Sequence, residues 1–220
     1  MKNTRTYAKL SGWSLILMAI LAGFSFGFVF PKIYDASNLD LAQDNMMANV
    51  DLYQQMIIGI ILVILLDIFV SFTLYWYFKN THKQLAFTSF VLRMIYSFVF
   101  AVATFYLAKS IGQENLSNAI IVENYQLFQL LWSIGLVIFG VHLLTIGVLM
   151  KLHAFVPKVL WYLTLIAGVS YMLVHILKVA APQMLEFNNM LEAILGLPMA
   201  LGELLLAVWL VAKGGKQEKV

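Results

Sequence analysis

Four ionisable residues stand in stretches that are otherwise apolar: Asp67, Arg93, His142 and Glu203. A charged group in hydrocarbon costs about 2.5–3.5 kcal/mol on insertion scales, so such residues are kept where they pair or where they work. Asp67 and Arg93 are the natural pair, since a short connection makes their two stretches neighbours. Glu203 and His142 then remain as a second pair, with Glu203 either neutral or ionised against a charged ring. Two carboxylates against one arginine leave one negative charge, which a proton on Glu203 or His142, or a bound cation, would neutralise. The same four residues also suit a purely structural lock between helices, each bond adding about 0.6–2 kcal/mol. A metal site fits them poorly, because the arginine would compete with the metal for the two carboxylates, leaving one histidine.

The elements that hold these residues follow from composition. The chain is 62% hydrophobic and 11% charged, where a soluble domain is about half apolar and a quarter charged. A membrane helix needs about 20 mostly apolar residues. That length predicts an all-α, integral membrane bundle of six spans in one domain, at about 8–30, 56–78, 85–108, 126–150, 159–180 and 191–212. At 1.5 Å per residue, Asp67 lies about 16 Å, Arg93 about 12 Å, His142 about 12 Å and Glu203 about 14 Å from the same-side ends of their spans. A hydrocarbon core of ~30 Å puts all four near its midplane. Gly59, Val63, Asp67 and Ser71 share one helix face, and so do Ser89, Arg93 and Ser97, with Tyr96 adjacent. Polar and small residues on one face suit helix–helix contact in lipid.

Basic residues orient the bundle. With both termini cytoplasmic, the inner segments hold Lys2, Arg5, Lys9, Lys79, Lys83, Lys151, Lys158, Lys213, Lys216 and Lys219. The outer ones hold only Lys32, Lys109 and Lys178, while Asp35, Asp40, Asp44, Asp51, Glu114, Glu123, Glu186 and Glu192 fall outside and Glu218 inside. The apolar run from Leu10 to Phe30 is too long for a cleaved signal and reads as an uncleaved anchor. The loop 31–55 is long enough for one short surface helix.

Three further groups invite a role. Tyr171, His175 and Lys178 share a face of the fifth span and, with Glu186 and Glu192, would line an outer vestibule; alternatively Lys178 simply snorkels to the interface. Ala19, Gly23 and Gly27 form a small-residue stripe suited to packing within the bundle or to a homo-oligomer or membrane partner. His153, between Lys151 and Lys158, reads as a solvated loop residue. The chain has no cysteine, and it lacks phosphate-binding, nucleophile-elbow and zinc-protease motifs. Nothing points to a cofactor, a metal or a nucleic-acid partner; the expected partner is the lipid bilayer.

The polar layer also carries a resemblance. Leu66-Asp67-Ile68-Phe69-Val70, Leu74-Tyr75 and Phe78 resemble the second-span motif of a bacterial multi-pass membrane family, domain of unknown function 4386. Arg93 with Tyr96 is similar to its R-x-x-Y element. Trp132-Ser133-Ile134-Gly135-Leu136, Phe139-Gly140-Val141-His142-Leu143-Leu144, Gly147 and Pro157 resemble its longest motif. Gly168 with Tyr171, and Gly202-Glu203 with Trp209-Leu210 and Gly214, resemble two more. The chain departs from the family pattern at His153-Ala154, Val148 and Val174, where the family has Ser-Gly, an aromatic and an aspartate. The resemblance implies six spans in a bacterial inner membrane and no assigned activity.

Three function classes follow. An accessory, sensor or structural membrane protein would have a packed centre and no cavity. A proton- or ion-coupled carrier would titrate Glu203 and His142. A membrane-embedded enzyme acting on a lipid-like substrate would use either of them as general acid–base in a cavity open to the bilayer; the overall balance leans away from an enzyme.

Overall fold

A computed structural model describes residues 2–35, 38–112, 116–153 and 155–216. Glu114, Ala154, Glu218 and Lys219 lie outside them, as does the Lys2 side chain. The helices are α1 (Lys2–Ala22), α2 (Phe30–Ile33), α3 (Ala42–Ala48), α4 (Val50–Phe78), α5 (Lys83–Ala108), α6 (Asn118–Leu152), α7 (Lys158–Ala180) and α8 (Leu185–Ala212). A π-helical stretch, Gly23–Val29, joins α1 to α2. Six of these segments are long and apolar enough to cross a membrane, which makes this a multi-pass membrane protein.

Local chemistry sets the ends. His82 caps α5, its Nδ1 accepting the Leu85 N–H at 3.1 Å. Pro157 precedes α7 and a 3-10 turn at Pro182–Met184 precedes α8, as expected of a residue with no N–H to give a preceding turn. The π-helical stretch lies just before Pro31. Proline removes the donor that the Gly27 carbonyl would use and crowds that carbonyl, so the backbone widens upstream. Helices α4, α6 and α8 begin at Val50, Asn118 and Leu185, well before the predicted 56, 126 and 191. The extra turns are polar in part but packed, with Asn124 and Asn188 buried, so hydropathy alone stops short of them.

Each span packs on its chain neighbours, and α8 closes back on α1. The result is a ring of six helices in chain order. Close approaches need glycine at two joints. A Cβ at Gly140 would lie 2.7 Å from the Gly168 carbonyl oxygen, so α6 and α7 touch backbone to backbone. A Cβ at Gly12 would lie 2.7 Å from the Ala207 oxygen, which joins α1 to α8. Arg5 secures this joint: its guanidinium donates to the carbonyls of Leu210 (3.0 Å), Val211 (2.6 Å) and Gly214 (2.6 Å), capping the last turn of α8.

At the other end α1 and α8 part. Added Cβ atoms at Gly23, Gly27 and Gly196 would meet nothing within 4 Å. The small-residue stripe is therefore not packed within the bundle at Gly23 and Gly27, which are exposed; of its three residues Ala19 alone borders a gap. Pro198 interrupts the α8 hydrogen bonds in this same half. The connection from α2 through α3 to α4 covers the opposite side of the ring. Tyr34 donates to the Tyr53 hydroxyl at 3.0 Å, which donates to the Leu107 carbonyl at 2.8 Å, and Asn118 holds α3 and the 3-10 turn before it through Gln43 and Leu39.

His153 is not a solvated loop residue. Its ring stacks on Tyr77 at 5.5 Å and 13° and meets Trp209 edge-on. Burial against these rings lowers its pKa below 6.5.

Candidate functional site

The ring brings all four mid-span ionisable residues together. Asp67 on α4, Arg93 on α5 and His142 on α6 are each 1% exposed. Arg93 is the centre. Its Nε donates to Asp67 Oδ1 at 2.8 Å, and its Nη2 lies 2.5 Å from the same oxygen. Its Nη1 is ion-paired with Glu203 Oε1 on α8 at 2.9 Å and bonded to His142 Nε2 at 3.2 Å. The planar guanidinium has five donors spread over a wide fork, so one side chain serves three helices. Phe139 stands beside it, with the guanidinium carbon 5.4 Å from the ring centroid.

Two expectations change. Glu203 does not pair with His142; both turn to Arg93. The ring also fixes the histidine tautomer. Arginine has no acceptor, so Nε2 is the bare nitrogen that accepts from Nη1. Nδ1 then carries the proton and donates to the Ser89 carbonyl at 2.9 Å, with the Ser89 hydroxyl 3.0 Å away. His142 is neutral in this arrangement. The layer holds two carboxylates and one guanidinium, a net charge of −1 when both carboxylates are ionised.

A cavity of about 440 Å³ reaches this layer from the half of the ring where α1 and α8 part. Asp67, Glu203 and Tyr96 border its deep end, while Arg93 and His142 do not. Tyr171 and His175 border its α7 wall. Ala19, Ala22, Gly196 and Ala200, all small, border it along α1 and α8. At its end away from the Gly12–Ala207 joint, Lys178 and Glu192 form an ion pair, Nζ to Oε2 at 2.8 Å. Glu186 is exposed and takes no part in this wall. Tyr171 stacks on His175, whose Nδ1 is 3.4 Å from the Ser133 hydroxyl.

Several polar atoms at the cavity lack hydrogen-bond partners. Asp67 Oδ2 and Trp132 Nε1 make no hydrogen bond, and Glu203 Oε1 faces Arg93 without the alignment of one. Trp132 and Phe139 were not singled out by their chemistry in the sequence. The signal was there in spacing, since Trp132, Leu136 and Phe139 share a stripe of α6 with His142 and the first three border the cavity. Among the described residues, no group of three histidine, aspartate or glutamate side chains stands close enough to hold a metal ion.

Comparison with known proteins adds a family and a relative. The profile of the family described as Domain of unknown function (DUF4386) matches residues 10–214. An uncharacterised protein of the archaeon Archaeoglobus fulgidus is 27% identical over 164 residues, which cover 74% of this chain and 86% of that protein. No solved structure matches the chain.

Proposed function

The chain belongs to the DUF4386 family, and from that premise we propose that it binds a small molecule within the membrane, in the cavity that ends on Asp67 and Glu203. One observation carries this reading: a cavity of about 440 Å³ ends on a mid-span carboxylate, Glu203, that is 25% exposed, with Asp67 at the same border. A lock between helices would leave no such room. Ligand sites have volumes of roughly 300–1,000 Å³, mostly apolar walls and a few polar groups, and this cavity has that character.

Glu203 is the group that answers to occupancy. It is 25% exposed where Asp67 and Arg93 are 1% exposed, so it can exchange Arg93 for a ligand or a proton. The groups facing it are Arg93 on α5, Asp67 and Tyr96 beyond it, His142 on α6 and Tyr171 on α7. Such an exchange serves a carrier and a ligand-gated sensor alike. Pro198 and the π-helical stretch flank the gap and favour the carrier, because both weaken a helix where movement would open or close the cavity. An enzyme acting through His142 fits less well, since that ring does not border the cavity. We place the protein in a bacterial inner membrane with both termini cytoplasmic, a reading supported by the basic ends of α1, α4, α5, α6, α7 and α8, which share one side of the ring.

The cysteine-free chain allows a direct test. Val63→Cys, one turn from Asp67 and on the cavity wall, reacts with a small neutral thiol reagent in nanodiscs much faster than Ala103→Cys, which is fully buried on α5 away from the cavity. Equal, slow modification of both would overturn the reading.

A further inference from the structure

We infer that the ligand is an amphipathic organic cation, an ammonium or similar head on an apolar body, which enters sideways from the bilayer between the outer halves of α1 and α8. This rests on the binding reading above and assigns its substrate class.

The charge seen from inside the cavity is the first argument. Asp67 and Glu203 border it and Arg93 does not. The guanidinium is spent behind the carboxylates on Asp67, Glu203 and His142. Lys178 and Glu192, the remaining charged pair on the wall, neutralise each other at 2.8 Å. His175 stands between Tyr171 and Ser133. A ligand at the deep end therefore meets two carboxylates and no free cation. An anionic head would be repelled there, and a neutral one would leave the −1 of two ionised carboxylates against one guanidinium uncompensated.

The walls are the second argument. Phe26, Tyr96, Phe100, Trp132, Phe139 and Tyr171 surround the space between the mouth and the carboxylates. Aromatic faces attract cations and also shelter apolar groups. A bare metal ion is a poor match, since hard cations need six or more oxygen ligands and this wall is mostly ring and methyl. A cavity of about 440 Å³ suits an organic body instead.

The route is the third. Helices α1 and α8 touch at Gly12 and Ala207, where Arg5 binds them together. Beyond that joint they part, and the residues along the gap are Ala19, Ala22, Gly196 and Ala200. Gly196, which borders the gap, has nothing within 4 Å of where a Cβ would stand. The outer loop is pinned over α4, α5 and α6 through Tyr34, Tyr53 and Asn118, and the far end of the cavity carries the Lys178–Glu192 pair. The open side thus faces lipid, and a ligand that partitions into lipid is the one that reaches it.

Two probes of the same shape and opposite charge test this: tetraphenylphosphonium and tetraphenylborate. Val63→Cys is modified with the neutral reagent in nanodiscs of zwitterionic lipid, with either probe present. Tetraphenylphosphonium is expected to slow the modification at least tenfold and tetraphenylborate to leave it unchanged, with the protection lost in Val63→Cys/Glu203→Gln. Equal protection by both ions, or by neither while Val63→Cys still reacts faster than Ala103→Cys, overturns the cation assignment and leaves the cavity reading standing. Protection that persists undiminished in the Glu203→Gln background overturns it too. Slow modification without any probe fails the binding reading itself.

Discussion

Glu203 on the last helix reaches Arg93 on the third membrane span, Oε1 to Nη1 at 2.9 Å, across a ring in which those two helices are not neighbours. The contact ties the two sides of the ring together through one guanidinium. It also turns one face of each carboxylate toward the arginine and leaves the cavity facing negative charge.

Removing the guanidinium should be the costliest single change in the layer. Arg93→Gln leaves Asp67 and Glu203 with no countercharge at the same depth. Breaking a buried pair this way costs about 3–5 kcal/mol. Arg93→Lys keeps the charge but loses the fork, and should fall between. Adding Asp67→Asn to Arg93→Gln should recover part of the loss. Unfolding midpoints of the four proteins in one detergent check the order.

The histidine should matter through its two ring nitrogens and not through the serine hydroxyl. Ser89→Ala keeps the carbonyl that accepts from Nδ1, so it should cost no more than about 0.5–1.5 kcal/mol. His142→Phe leaves both the Ser89 carbonyl and one Arg93 N–H bond unmade, and should cost about 1–3 kcal/mol more. Equal losses in thermal unfolding would contradict the tautomer assigned here.

His153 should make its own end of the bundle acid-sensitive. Burial lowers its folded-state pKa below 6.5, so the unfolded chain takes up the proton more readily. The stability it lends is full above 6.5 and lost as pH falls below that value. His153→Phe keeps a ring against Tyr77 and has no proton to take. The variant's unfolding midpoint should fall less than that of the parent between neutral and mildly acid pH.

Two glycines on one chain should behave in opposite ways. Gly140→Ala drives a methyl into the Gly168 carbonyl and should destabilise by about 1–3 kcal/mol. Gly23→Ala meets nothing and should be neutral or stabilising. Thermal unfolding separates them, and a loss at Gly23 matching that at Gly140 would show that the gap is closed by another surface.

The spans were legible because hydropathy is a property of stretches, and so was the shared depth of Asp67, Arg93, His142 and Glu203. The partner choice was not. Adjacency in sequence suggests α4–α5 pairs such as Asp67 with Arg93, but it says nothing about the closure of α8 on α1, which alone swings Glu203 to Arg93. The α7 side of the cavity was legible as a vestibule of Tyr171, His175, Lys178 and Glu192, but its reach to Glu203 and its α1 wall were not, for the same reason. Gly23 and Gly27 look like packing residues in a linear reading, yet both are exposed, and the small residues that border the gap are Ala19, Ala22, Gly196 and Ala200. His153 misled because charged neighbours, Lys151 and Lys158, imply solvent, while Tyr77 and Trp209 come from distant spans.

The most direct measurement is the rate ratio for a neutral thiol reagent at Val63→Cys and Ala103→Cys in lipid nanodiscs. A cavity open to small molecules predicts a ratio of at least ten. A ratio near one, with both proteins folded, would mean a closed centre and would contradict the account.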